Sequence, residues 1–126
     1  MIPGSNEDHP TFKHSFGFAI QGFRYAFRSE RNIKVMCFSG IAAIILGLIV
    51  QLDFISWALL FICCGCVIAA ELINTAIEAI VDLVSPEFHP FAGRAKDIAA
   101  GAVWVLSLFV AIAGIIIFSH AIITNL

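Results

Sequence analysis

Hydrophobic positions fall into four blocks along the chain, and each block has its own period. From Thr11 to about Arg28, Phe12, Phe16, Ile20, Phe23 and Phe27 recur at helical spacing. At about 100° per residue they share an arc of roughly 80°. Lys13, His14, Gln21, Arg24 and Arg28 take the other side. An aromatic face opposed by basic residues predicts an amphipathic helix lying in a membrane interface. A core-facing helix of a soluble bundle has the same period, but the apolar runs that follow favour the interface. The second block, from about Val35 to Val50, is nearly unbroken and carries Gly40 and Gly47. It is short for a hydrocarbon core of about 30 Å, so its helix should begin a turn earlier. Gln51-Leu52-Asp53 reads as a tight turn.

The third block runs from Phe54 to about Val84. As a helix it spans roughly 46 Å at about 1.5 Å per residue, more than a bilayer needs. Ser85-Pro86 stops it. Glu87 to Arg94 reads as a short loop, and Ala95-Lys96-Asp97 opens the last block, from about Ile98 to Ile123, with Gly101 and Gly114 allowing close packing. The pattern predicts an all-α membrane protein of one domain, 1–126. A frayed start at 1–10 precedes a surface helix at 11–30 and transmembrane helices at 33–51, 54–84 and 95–123. No internal repeat or low-complexity tract is visible.

Polar residues interrupt the third block in one place, and there they are ordered. Glu71, Asn74, Glu78 and Asp82 stand at i, i+3, i+7 and i+11, so they form one stripe on an apolar helix. Ionisable residues inside such helices are costly and mark functional sites. A stripe of this kind can glue helices through hydrogen bonds, which suffices for Asn74 and Thr75 alone; glue does not require several acids. Counted from Phe54 at one face, Glu71 lies about 26 Å along the axis, near the opposite edge of the hydrocarbon. Glu78 and Asp82 follow about 10 and 16 Å further on, in the headgroup zone and beyond.

Composition agrees with the block pattern. Of 126 residues, 60% are hydrophobic and 13% charged, and the mean hydropathy is +0.98. The first thirty residues lack the apolar core of a cleavable signal. Cys63, Cys64 and Cys66 point in different directions around one helix and cannot close a tetrahedral metal site, so they read as small buried residues. All seven basic residues lie before the second block or between the third and fourth. The positive-inside rule therefore predicts a multi-pass plasma-membrane protein with its N-terminus, the 85–97 segment and the acidic stripe on the cytoplasmic side.

The acids need counter-charges, and the third block has no Lys or Arg. Lys34, Arg94 and Lys96 are candidates; Asp82 could pair with Arg94 or Lys96. A divalent cation is another, since carboxylates with an amide and water suit Mg²⁺. A cation gathered at a membrane surface beside Lys and Arg fits phosphate chemistry, with one carboxylate left as general base. Such a base at the hydrocarbon edge can take the proton of a lipid hydroxyl. His89, beside a proline, and Glu30, among Arg28, Arg31 and Lys34, read by themselves as surface residues. Neither a P-loop nor a glycine-rich kinase loop is present.

The stretch Glu71-Leu72-Ile73-Asn74-Thr75-Ala76-Ile77-Glu78-Ala79-Ile80-Val81-Asp82, followed by Gly93-Arg94-Ala95-Lys96-Asp97, resembles the signature of the prokaryotic diacylglycerol kinase family of small membrane lipid kinases. The layout resembles it over nearly the whole chain. Ser85-Pro86-Glu87-Phe88-His89-Pro90 looks more like the Gram-positive branch, whose members act as undecaprenol kinases. The resemblance implies a homotrimer with active sites shared between subunits. It implies transfer of the ATP γ-phosphate, with Mg²⁺, to a lipid alcohol: undecaprenol, with diacylglycerol as the alternative. It carries Glu71 over as the catalytic, substrate-contacting carboxylate and Asn74 as the amide beside it. Glu78 and Glu30 become the metal ligands, which replaces the surface reading of Glu30. Glu87, Phe88 and His89 match a nucleotide-contacting loop, and Lys96-Asp97 a phosphate- and nucleotide-binding pair. An arginine found near the start of the surface helix in some members is missing; Thr11-Phe12-Lys13-His14 stands there. No nucleic-acid partner is expected. A more distant rival is a non-enzymatic, acidic ion-binding oligomer, which leaves Lys96-Asp97 and the protruding helix without a purpose.

Overall fold

The computed structural model describes residues 12–126; the expected frayed start and Thr11 lie outside them. Among the described residues the chain is entirely helical: α1 (Phe12–Ser29), α2 (Arg31–Val50), α3 (Phe54–Val84) and α4 (Pro90–Asn125). The last three are long and apolar enough to cross a membrane. Large apolar side chains such as Phe38, Leu48, Phe61, Trp104, Phe109 and Ile115 are exposed on their flanks. Such surface suits acyl chains rather than water, and the backbone polar groups are satisfied within the helices. The architecture fits a multi-pass membrane protein.

α4 packs most extensively on α3, and α2 packs mainly on α3; α1 touches the beginning of this bundle. One core cluster, Val50, Leu52, Leu60, Ile117 and Ala121, closes the end of the bundle at the α2–α3 turn. That turn is built from sequence-specific parts. Gln51 ends α2 in the left-handed region at φ 58°. Gly47 lies so close beneath that a Cβ would meet Trp57 Cη2 at 2.8 Å and Leu52 Cδ1 at 2.9 Å. Asp53 caps α3 by accepting from the Ser56 backbone N–H at 2.8 Å, and this bond holds its carboxyl below the usual range. From the far end of α4, Asn125 Nδ2 donates to the carbonyls of Val50 and Gln51 at 3.0 and 2.9 Å. Those carbonyls lack helical partners, so the amide satisfies part of the α2 terminus.

The connection to α4 is shorter than the sequence pattern implies. The segment read as a loop to Arg94 turns helical at Pro90. Proline is preorganised for the first helical position, where its missing N–H costs nothing, and His89 Nδ1 caps the helix by accepting from Phe91 N–H at 3.1 Å.

Candidate active site

The α3 stripe is one face in the structure, and its burial falls steadily along the helix. Glu71 is 2% exposed and Asn74 6%; Glu78 is half-buried and Asp82 exposed. The innermost carboxyl is sheltered by the packed helices and the outermost meets solvent.

Asn74 is the hinge of the cluster. Its Nδ2 donates to Glu78 Oε1 at 3.1 Å, and it lies one turn from Glu71 on the same face. Its Oδ1 is buried without a hydrogen-bond partner. A second amide, Asn32 from the first turn of α2, lies near the Glu71 side chain. Sequence reasoning missed Asn32. Its signal is modest: it continues the α2 stripe of Met36, Ser39 or Gly40, and Ala43 by one turn toward the polar end. Glu30 and Glu78 both lie close enough to Glu71 to act on it electrostatically, so three carboxylates and two amides converge from the α1–α2 corner and α3.

Glu30 occupies the N-cap position of α2, yet its side chain makes no capping bond. Its backbone N–H donates to the Ala26 carbonyl at 2.8 Å, so the corner is held by the main chain. The carboxylate thus has no local capping duty. Lys34 Nζ reaches back across the corner to the Arg28 carbonyl at 3.4 Å.

Beyond Glu78 the stripe meets α4. Lys96 Nζ pairs with Asp82 Oδ1 at 2.5 Å and feels the charge of Glu78. The choice the sequence left open for Asp82 falls on Lys96, because Arg94 instead lies over the Phe91 ring, 5.2 Å from its centroid. Glu87, Phe88, His89, Lys96 and Asp82 line one cleft of about 280 Å³ at this end. Asp97 is exposed and stands outside that lining. The connection is braced by Ser85 Oγ donating to the Glu87 carbonyl at 2.9 Å.

The donor set bears on Mg²⁺. Among the described residues no three His, Cys, Asp or Glu side chains form a ready cage. Mg²⁺ does not need one, because it is commonly held by one or two carboxylates plus waters and substrate phosphates. Carboxylates of Glu30 and Glu78 beside the unpartnered oxygen of Asn74 are hard donors of that kind. The residues fit a cation that arrives with a nucleotide.

The family described as prokaryotic diacylglycerol kinase matches residues 17–118 of this chain. The chain belongs to that family. It is 42% identical to the undecaprenol kinase of Bacillus subtilis (strain 168) over 113 residues, covering 90% of this chain and 91% of the relative. It is 40% identical to a diacylglycerol kinase of Synechocystis over 106 residues, covering 83% of this chain and 61% of that longer relative. The diacylglycerol kinase of Escherichia coli (strain K12) is 30% identical over 105 residues, covering 82% and 86%. As a member of the prokaryotic diacylglycerol kinase family, the chain is a lipid kinase, with ATP as the phosphate donor. Membership removes the rival reading of a non-enzymatic ion-binding oligomer.

Proposed function

We propose that this kinase transfers the γ-phosphate of Mg·ATP to the hydroxyl of undecaprenol at the cytoplasmic leaflet. The observation that carries the reading is the burial gradient along one face of α3, from sheltered Glu71 through half-buried Glu78 to exposed Asp82 with its Lys96 partner. A polyprenol has one hydroxyl on a long apolar tail, so its acceptor oxygen meets the protein at the hydrocarbon edge. Glu71 sits at that depth and acts as general base. The lipid oxygen attacks the γ-phosphorus, the bond from that phosphorus to the ADP oxygen breaks, and the hydroxyl proton passes to a Glu71 carboxylate oxygen. Asn74 orients Glu78 beside Glu71.

Mg²⁺, when bound with the nucleotide, neutralises phosphate charge. Glu30 and Glu78 hold it. Lys96 binds the phosphates, Asp97 assists at the nucleotide, and Glu87, Phe88 and His89 receive its base and sugar. The α1 helix lies in the interface with its phenylalanines toward the acyl chains. The working unit is a homotrimer whose sites are shared between subunits.

The test is transfer of labelled phosphate from ATP to a panel of lipid alcohols by the purified enzyme. Glu71→Gln should lower kcat by about 10²–10⁴-fold, the scale of general-base catalysis; near-wild-type turnover would refute the assignment. A second reading, diacylglycerol as acceptor, draws support from the relatives of that name. Side-by-side turnover of the two lipids decides between them.

A further inference from the structure

The sheltered face of α3 holds the acids, and the opposite face carries a second pattern that the site does not use. Ile55, Leu59, Ile62, Ile73, Ile80 and Leu83 are exposed in the single chain, by 47–82%. Cys66, Ala69 and Ala76, also exposed, complete the series. Steps of four and three residues alternate from Ile55 to Leu83, so a strict seven-residue repeat runs the length of α3. At about 100° per residue, this seam lies about 160° around the helix from the Glu71–Asp82 stripe. It contains no charged residue.

The seam outruns the bilayer. Counted from Phe54, Ile80 and Leu83 stand about 39 and 44 Å along the axis, beyond a hydrocarbon core of about 30 Å. Acyl chains do not cover that level, and the exposed Asp82 beside Leu83 marks it as aqueous. A continuous apolar seam that leaves the membrane calls for a protein partner. A second copy of this chain fits it. All copies share one topology in the membrane, so their α3 helices meet in parallel, with each position against its own counterpart. Cys66 and Ala69 are small enough to let backbones approach closely within the hydrocarbon, where packing drives association. Leu59, Ile73 and Ile80 fall at the first core position of the heptad, and Ile55 and Ile62 at the second. Leu or Ile at the first with Ile at the second favours three or four strands over two.

We propose that this seam is the core of the assembly: three copies of α3 pack in parallel about a common axis, with the left-handed supercoil that a seven-residue repeat imposes. With the seam on the axis, Glu71, Asn74 and Glu78 face away from it. Three separate acidic sites then stand around the rim, in place of one acidic ring at the centre. The proposal rests on the homotrimer reading and deepens it by naming the element that forms the core.

The experiment is disulfide crosslinking of the full-length enzyme in liposomes at high lipid excess, with native mass spectrometry of the same samples. Cys37, Cys63 and Cys64 are replaced by alanine, which leaves Cys66 as the single thiol. Oxidation with copper phenanthroline should link Cys66 between copies about tenfold faster than a single thiol at Phe61→Cys, which is exposed about 100° from the seam. Ile73→Cys, carried with Cys66→Ala, is a second seam thiol and should link as fast as Cys66. The mass should be that of three chains, and both seam variants should keep their kinase activity. A trimer in which neither seam thiol links faster than Phe61→Cys overturns the seam and leaves the homotrimer reading standing. A monomer overturns both. A dimer or tetramer linked at Cys66 upholds the seam and overturns the three-fold arrangement.

Discussion

Asp82 illustrates what one side chain does at this site. It is exposed, and its ion pair with Lys96 is open to water; pairs of that kind contribute little to stability. Its effect is on direction: it draws the Lys96 ammonium toward α3 and the half-buried Glu78, where the proposed phosphates lie. Asp82→Asn should therefore leave the melting temperature in place and raise KM for Mg·ATP several-fold, as measured by initial rates across ATP concentrations. A fall in kcat without a change in KM would argue for a part in the chemical step. Asp82 belongs to the stripe legible in the sequence, but its partner was not legible. Arg94 and Lys96 were equal candidates until α4 began at Pro90 and put Arg94 over Phe91.

At the scale of elements, the turn between α2 and α3 carries the tightest packing requirement. Gly47 must stay small because Trp57 and Leu52 occupy the space a Cβ would take. Gly47→Ala gains about 1 kcal/mol of helix propensity and loses about 1–3 kcal/mol to overpacking against a buried leucine and an indole ring. Net destabilisation is expected, read as a lower melting temperature in detergent, with kcat of the surviving fold unchanged because the turn lies at the opposite end of α3 from Glu78. The turn itself, Gln51-Leu52-Asp53, was legible as a polar break between two apolar blocks; the Asp53 cap was not. The need for glycine at 47 was not, since it depends on which face of α2 meets Trp57. α4 starts earlier than the loop read from Glu87 to Arg94 implies, for a local reason: after His89, Pro90 serves as the first helical residue.

For the whole molecule, the distribution of basic residues predicts which side of the membrane consumes ATP. All of them lie at the end of the bundle that carries the acidic stripe or on α1. Inside-out membrane vesicles should phosphorylate lipid from externally added Mg·ATP, and sealed right-side-out vesicles should not until permeabilised. Equal activity of both before permeabilisation would refute the orientation.

The number of apolar helices, their approximate lengths and the acidic face of α3 were determined by the sequence itself. Each depends on periodicity within one helix, which local geometry makes readable. The order of Glu71, Glu78 and Asp82 along the axis followed from the rise per residue alone, whereas their burial depends on which helices pack against that face. Contacts between helices were decided only by the tertiary structure. The pairing of Asp82 with Lys96 and the grip of Asn125 on the end of α2 each require two helices at a particular rotation about their axes. That rotation is set by side-chain packing summed over the bundle, a quantity no single stretch of the chain contains.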